Sequence, residues 1–442
     1  MNVKKNDLNE LLEMAEIGIP WDERGVPSKS LGLGEHSISI RGDENLIKFD
    51  KAVVAISKEH SEIRNGYTSV FLENKLLALL LEKKIDKKTF QLKELKKFVD
   101  ELKNVPDVDY VVQREIFGIS LQESEPPLVI GPFTIYNRRQ YKEAMEANKL
   151  VSGYLMEFTS NHEFVIEYTV RAKEEPKARE VADDKFEDFI VFLWFLIGHP
   201  DYTYEIGILN YQGYRTRSAI VFSDQGFSPS REGYGSFTPL RLDDPYFKDH
   251  VNGFGIFGQL FEKKNPNRLE RRIILAIKWM GQSIMDTSVQ RSGQPIMGRS
   301  VQHAFIKAAI GLEVLLGPSR ISDAKSKSKY IADRLRLILR LNEKEGSDLS
   351  KRFISLYEIR SAIAHSGKEE IELSDYAELL NLGREIVFRL LSFPFLQDCN
   401  TLEDVICQVH VFPESPSMLS RLIGKLGRLL RSQLSILKGF SV

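Results

Sequence analysis

The chain has few cysteines, no excess charge of either sign and no long apolar run, and each absence excludes a class of protein. Its 442 residues include only two cysteines, Cys399 and Cys407. Two are too few for a disulfide framework, and they lack the paired Cys/His spacing of a zinc site. The 61 basic and 62 acidic residues nearly cancel. Any affinity for nucleic acid must therefore come from a local patch.

No segment has the features of a secretory leader or a membrane span. The first residues, MNVKKNDLNE, contain no apolar core, and the densest apolar run, from Phe189 to Ile197, is far shorter than a span. Together with the scarcity of cysteine, this predicts a soluble protein of the reducing cytoplasm.

The length predicts two or three domains, and the composition changes along the chain. Residues 1–28 are predicted to form an N-terminal arm with one short helix, and residues 29–260 an α+β domain. Strands are predicted at residues 37–40, 52–56, 110–113, 116–121, 128–136, 164–170, 204–209 and 218–222, with helices at 70–81 and about 176–197. The lysines of segment 83–103 are predicted to form a solvated helix face, with RNA contact as the alternative.

The first 260 residues contain no catalytic signature and no internal repeat. Three histidines there are isolated, which is more typical of surface or core residues than of ligands: His162, His199 and His250. Residues 253–258, GFGIFG, fit Gly-x-Gly-x-x-Gly. No strand precedes them and no βαβ unit surrounds them, so the segment is interpreted as a flexible joint between domains rather than a dinucleotide site.

From about residue 267 the apolar spacing becomes that of helices and remains so. Five helices are predicted. The first two have apolar stripes from Leu269 to Ile284 and from Val301 to Leu315. The third spans 327–341, the fourth lies between Ser347 or Asp348 and Gly367, and the fifth is capped by Ser374. Helices with connections this short predict an all-α bundle over residues 265–395.

The fourth helix carries the chemically most informative residues. Its predicted apolar face consists of Phe353, Leu356, Tyr357, Ile363 and Ala364, and an arginine, Arg360, interrupts it. A guanidinium among apolar neighbours needs a carboxylate, a subunit interface or an anionic ligand. Glu313 follows Phe305 and Ala309 at helical spacing in the second helix, and is the natural partner for Arg360. The simplest interpretation is a salt bridge, with His365 merely at the helix end.

The segment from Leu356 to Gly367, LYEIRSAIAHSG, resembles the signature of HEPN domains. That signature is an arginine, four to six residues of which the first is polar, and a histidine. The Tyr-x-x-Arg-Ser and His-x-Gly flanks, and the pair Leu312-Glu313, are most similar to the Apea-like branch. The resemblance covers residues 265–395 and implies a helical bundle that dimerises.

Many HEPN proteins are metal-independent endoribonucleases of toxin, antiphage or RNA-processing systems. The resemblance implies that Arg360 and His365 are catalytic, that Ser361, Glu313 and Tyr357 support them, and that no metal or cofactor is needed. It also implies an RNA substrate and a homodimer joined through the bundle. The N-terminal domain would then be a sensor or regulator that responds to a phage or cellular trigger. The alternative is a non-catalytic HEPN domain that binds RNA or serves as a dimerisation scaffold.

The chemistry of RNA cleavage fits these residue types. Attack by the 2′-hydroxyl needs a base, an acid for the departing 5′-oxygen and positive charge near the phosphorane. An imidazole, which titrates near pH ~6.5 in water, serves as either acid or base, and a guanidinium matches paired phosphate oxygens. Because this motif supplies one histidine per chain, a two-fold dimer with both pairs around one groove would supply two.

The C-terminal tail, residues 396–442, is predicted to contain a basic amphipathic helix from about Pro416 to Lys438. It could pack on its own domain, lie on an anionic membrane surface or bind RNA phosphates. The candidate RNA contacts are Arg421, Lys425, Arg428 and Arg431.

Overall fold

The structure is a computed structural model. It describes residues 5–18, 28–33, 36–122, 126–146, 163–198, 206–208, 217–223, 226–232, 239–248, 253–263, 265–289, 298–318, 327–366 and 371–411. Several residues that the sequence singled out lie outside the described ones, namely His162, His199, His250, Gly367, Arg421, Lys425, Arg428 and Arg431.

The chain has mixed α and β content, with small sheets toward the N-terminus and mostly helices in the C-terminal half. It divides into unit 1, which comprises Met1–Phe189 and Ile206–Tyr211, and unit 2, which comprises Ile190–Glu205 and Gln212–Val442. The bundle predicted over residues 265–395 therefore belongs to unit 2, whereas residues 29–260 contribute to both units.

The secondary structure of unit 1 alternates helices with short strands. Its helices are α1 (Lys5–Met14), α2 (Asp43–Glu59), α3 (Ser61–Gly66), α4 (Ser69–Ile85), α5 (Leu92–Asn104), α6 (Arg138–Glu146) and the first part of α7 (Glu175–Ile197). Its strands are β1 (Glu16–Ile17), β2 (Ser28–Leu33), β3 (His36–Arg41), β4 (Val108–Glu115), β5 (Ile119–Ser120), β6 (Leu128–Ile130), β7 (Phe133–Asn137) and β8 (Phe164–Ala172).

Two antiparallel sheets organise unit 1. The first has the strand order β1-β3-β2 and packs with α2 and α4 around a core that includes Leu8, Phe49 and Leu76. Because Leu8 lies in α1, the predicted N-terminal arm contributes to this core. The second sheet has the order β4-β8-β7-β6, and Phe133 packs on Phe189 of α7 at 4.9 Å between ring centroids.

The strand predicted over residues 52–56 is wrong, because these residues lie within α2. The buried residues of α2 are Phe49, Ala52, Val53 and Ile56, which is the spacing of one helix face. The β-branched run dominated the prediction, although the longer window has a helical period. Of the strand predicted over 116–121, the structure has only Ile119–Ser120. The segment 128–136 is two strands, since Gly131 turns the chain with φ of 54°.

Unit 2 contains the second part of α7 and the elements that follow it. Its strands are β9 (Arg217–Ser223), β10 (Gly226–Glu232) and β11 (Leu240–Arg241). Its helices are α8 (Pro245–Lys248), α9 (Gly255–Phe261), α10 (Arg268–Val289), α11 (Gly298–Leu316), α12 (Lys327–Leu339), α13 (Glu343–Ser366), α14 (Leu373–Leu391) and α15 (Leu402–Val411), with a 3₁₀ turn at Leu396–Asp398. Strands β9 and β10 form an antiparallel hairpin.

The glycine segment 253–258 runs into a helix. Gly255 and Gly258 lie in α9, and Phe254 just before it stacks on Phe247 at 5.5 Å between ring centroids. The segment that was predicted to be a flexible joint is therefore partly helical.

Helices α10 to α14 form the bundle, with α11 in contact with each of the other four. Apolar side chains that are fully buried in its core, with 0% exposure, include Ile273, Met280, Phe305 and Ile386. Polar contacts also cross this core, where Ser283 Oγ donates to the Ala304 carbonyl oxygen at 2.7 Å and lies 2.9 Å from the Tyr376 hydroxyl. Among the helices that the structure describes, none is both long and apolar enough to cross a membrane.

Two predicted helix starts are wrong. Helix α13 begins one turn before Gly346, because Asn342 Oδ1 accepts the Glu345 N–H at 2.9 Å and caps the helix there. Helix α14 begins after Glu372, and Ser374 Oγ donates to the Glu372 carboxylate instead of capping. Helix α15 was not predicted.

Candidate functional site

Helix α13 carries Arg360 in its penultimate turn and His365 at its end. The face that turns into the bundle is formed by Phe353, Leu356 and Ile363, which are 1%, 1% and 9% exposed. Ala364, predicted to continue this face, is exposed instead. The buried face therefore ends at Ile363, and Ala364 and His365 face solvent.

The ion pair predicted between Arg360 and Glu313 is present. Arg360 Nε lies 3.1 Å from Glu313 Oε1, and the side chains are 24% and 11% exposed. The Nε–H bond does not point at that oxygen, so both atoms are buried with no hydrogen-bond partner among the described residues. The pair is thus held by charge and packing, and it leaves the Nε–H donor of Arg360 unused.

Tyr357 lies one helical turn before Arg360 and completes the surroundings of the carboxylate. The Arg360 guanidinium carbon is 5.8 Å from the centroid of its ring. Burial, followed by a hydrogen bond to Glu313 and the charge of Glu313, raises the pKa of Tyr357 to about 12. Its hydroxyl therefore stays protonated at neutral pH.

Lys327, the first residue of α12, was missed by the sequence analysis. Its Nζ donates to Glu313 Oε2, and its side chain is 31% exposed. Glu313 is therefore shared by two cations, Lys327 and Arg360. The sequence contains no signal for this contact, because the two residues belong to different helices and tertiary packing alone brings them together.

His365 is exposed, as expected for the end of the helix, and Ser361 is half-buried beside Arg360. The five positions from Arg360 to His365 correspond to about 140° of rotation and about 7.5 Å of rise on an α-helix. Their side chains therefore leave the helix in different directions, with Arg360 directed toward α11. A single copy of the helix does not stack the imidazole on the guanidinium.

Arg352, two turns earlier on the same helix, provides a contrast to Arg360. Its guanidinium binds Asp375 Oδ1 and Glu378 Oε2, each at 2.6 Å, and these carboxylates raise its pKa further. Two carboxylates thus neutralise one arginine at this position. Around Arg360 the ratio of carboxylates to cations is reversed, because the single carboxylate of Glu313 contacts both Arg360 and Lys327.

Within the described residues, no group of three or more His, Cys, Asp or Glu side chains is placed to hold a metal ion. No protein-family model, curated protein or solved structure matches the chain. The site is therefore interpreted from its own residues and from the motif that they form.

Proposed function

We propose that the helical bundle of residues 265–395 is a HEPN-type endoribonuclease of the Apea-like branch that cleaves RNA without a metal ion, with Arg360 and His365 as catalytic residues. The observation that carries the proposal is the end of α13. There, a partly exposed arginine whose buried Nε–H has no partner in the described part of the chain precedes an exposed histidine by five residues. An arginine with a purely structural role is more stable in the arrangement of Arg352, which hydrogen-bonds two carboxylates.

In the proposed reaction the ribose 2′-oxygen attacks the adjacent phosphorus, and the bond from phosphorus to the 5′-oxygen breaks. One imidazole takes the 2′-hydroxyl proton, and a second gives a proton to the departing 5′-oxygen. The Arg360 guanidinium stabilises the charge of the phosphorane. The products are a 2′,3′-cyclic phosphate and a 5′-hydroxyl end. Glu313 and Tyr357 position the guanidinium, and Ser361 supports it.

Two imidazoles require two copies of the motif. Because α13 sends Arg360 and His365 in different directions, a homodimer with the two α13 ends across one groove is the simplest way to combine them. The exposed end of α13, from Ala364 to His365, leaves this surface open in a single copy.

Residues 29–260 would act as a sensor or regulator of a prokaryotic cytoplasmic defence or stress system and would respond to a phage or cellular trigger. The basic tail, with Arg421, Lys425, Arg428 and Arg431, would extend the RNA-binding surface.

The test is incubation of the purified chain with mixed RNA in EDTA, followed by chemical mapping of the new ends. The proposal predicts cyclic phosphate and 5′-hydroxyl ends. An oligonucleotide with a single 2′-deoxy position should resist cleavage at that position alone. RNA that the protein binds but leaves intact at all protein concentrations would contradict nuclease activity.

A non-catalytic HEPN module that binds RNA or serves as a scaffold is the second candidate. It is favoured by the Arg360–Glu313 ion pair, which also suits an arginine that only joins two helices. Binding of RNA with no change in its ends would select this function.

A further inference from the structure

Glu313, Lys327, Tyr357 and Arg360 form a compact group that we name the Glu313 cluster. Lys327 Nζ and Arg360 Nε contact different oxygens of the same carboxylate. Tyr357 is neutral, since burial and Glu313 raise the pKa of its hydroxyl to about 12. Two positive charges and one negative charge therefore leave the cluster with one positive charge in excess.

This excess distinguishes the cluster from two other ion pairs of unit 2, those of Lys307 and Arg352. Among the described residues, Lys307, also on α11, pairs with Asp286 at 2.5 Å, with side chains 28% and 29% exposed. Arg352 is surrounded by Asp375 and Glu378. At each of these two sites the carboxylates equal or outnumber the cations. Neither site therefore has an excess positive charge that could bind an anionic ligand.

Both cations of the cluster remain within reach of a ligand. The Lys327 side chain is 31% exposed and that of Arg360 is 24% exposed, while the Glu313 side chain is only 11% exposed. The carboxylate thus lies beneath its two partners. An anion approaching from solvent meets the cations first, and its negative charge competes with Glu313 for them.

We propose that Lys327 is a second phosphate-binding residue of the site and that Glu313 limits the positive charge of that site to a single unit, which matches one RNA phosphodiester. The inference rests on the proposed function and adds to it a substrate contact and a role for the carboxylate. Glu313 orients Arg360 but weakens RNA binding. It is a positioning residue, and its removal separates affinity from turnover.

Substitutions of Lys327 and Glu313 must then change the affinity for RNA in opposite directions. Lys327→Gln removes one phosphate contact, so affinity for single-stranded RNA falls about three- to tenfold and the salt slope becomes shallower by about 0.7. Glu313→Gln frees the second cation, so affinity rises by a similar factor and the slope steepens. On cleavable RNA, Glu313→Gln lowers both KM and kcat, because Arg360 is no longer oriented.

The experiment measures binding of a fully 2′-O-methylated RNA oligonucleotide, which has no nucleophile, over a salt titration. The variants are K327Q, E313Q, the double variant E313Q/K327Q and the matched control K307Q. The double variant restores the net charge, so its affinity should return close to that of the parent. K307Q should bind like the parent, because Lys307 belongs to the balanced pair with Asp286.

Thermal unfolding of each variant checks the fold, and Lys327→Glu supplies a second variant at the more exposed position. Charge reversal there should weaken binding more than K327Q does. If K327Q and K327E bind as tightly as the parent, or if E313Q folds and weakens binding, the inference is overturned. Failure of the parent protein itself to bind the oligonucleotide at low salt would overturn the proposed function instead.

Discussion

Arg360 of α13 and Glu313 of α11 lie at ion-pair distance, 3.1 Å, but do not hydrogen-bond through their facing atoms. A buried polar atom without a hydrogen bond costs about 1–3 kcal/mol. The packing of the two helices therefore keeps an arrangement that is not the most stable one for an arginine and a glutamate. Such local conflicts between stability and geometry are typical of functional sites.

The buried hydroxyl of Tyr376 should make the bundle sensitive to alkali. Burial raises the pKa of Tyr376 to about 12, against the ordinary value of 10.0. Its contribution to the free energy of unfolding is therefore fully present below about pH 10 and is lost as pH rises toward 12, by about 2–3 kcal/mol. Chemical denaturation of the parent and of Tyr376→Phe across this range measures the effect. Their stability difference should shrink, and a difference independent of pH would contradict the assignment.

The close approach of α10 to the second part of α7 should make Gly281 intolerant of a side chain. A Cβ at Gly281 would lie 2.1 Å from the carbonyl oxygen of Val191, which is backbone and cannot rotate away. Gly281→Ala should destabilise unit 2 by about 1–3 kcal/mol. Gly258→Ala in α9 is the matched control, because a Cβ there meets nothing within 4 Å. That control should be neutral or stabilising by about 0.5–1 kcal/mol, and thermal unfolding compares the two variants.

The proposed composite site predicts a homodimer. Light scattering at micromolar concentration should give twice the mass of the 50.6 kDa chain. Substitution of Ala364 by Glu, at the exposed end of α13, should weaken the dimer and the cleavage together, because it places like charges across the proposed two-fold axis. A strictly monomeric protein with full nuclease activity would show that one chain suffices.

The helices of the bundle could be predicted from sequence because their apolar residues repeat with a helical period over several turns. Ile273, Met280 and Phe305 are buried as this period requires. The inward position of Glu313 and its pairing with Arg360 followed from the same spacing. Helix starts were predicted less well, because a glycine such as Gly346 resembles a boundary although Asn342 provides the cap.

Contacts between distant segments could not be predicted. Lys327 reaches Glu313 only because α12 packs beside α11, and no periodicity encodes that distance. The β-branched residues Val53 and Ile56 were assigned to a strand from a window that was too short. The Lys327 contact depends on helix packing, and the helix at Val53 and Ile56 shows only in a longer apolar period. Local residue preference contains neither kind of information.

The central claim is that Arg360 and His365 cleave RNA, and matched substitutions on the same protein test it most directly. His365→Ala and Arg360→Ala should each reduce cleavage of RNA in EDTA by about a hundredfold or more while thermal unfolding stays close to that of the parent. The controls are His303→Ala, at an exposed histidine of α11, and Arg352→Ala, at the other arginine of α13. Both controls should keep cleavage within about twofold of the parent. If His365→Ala produces 2′,3′-cyclic phosphate ends at the parental rate, the assignment of the site is wrong.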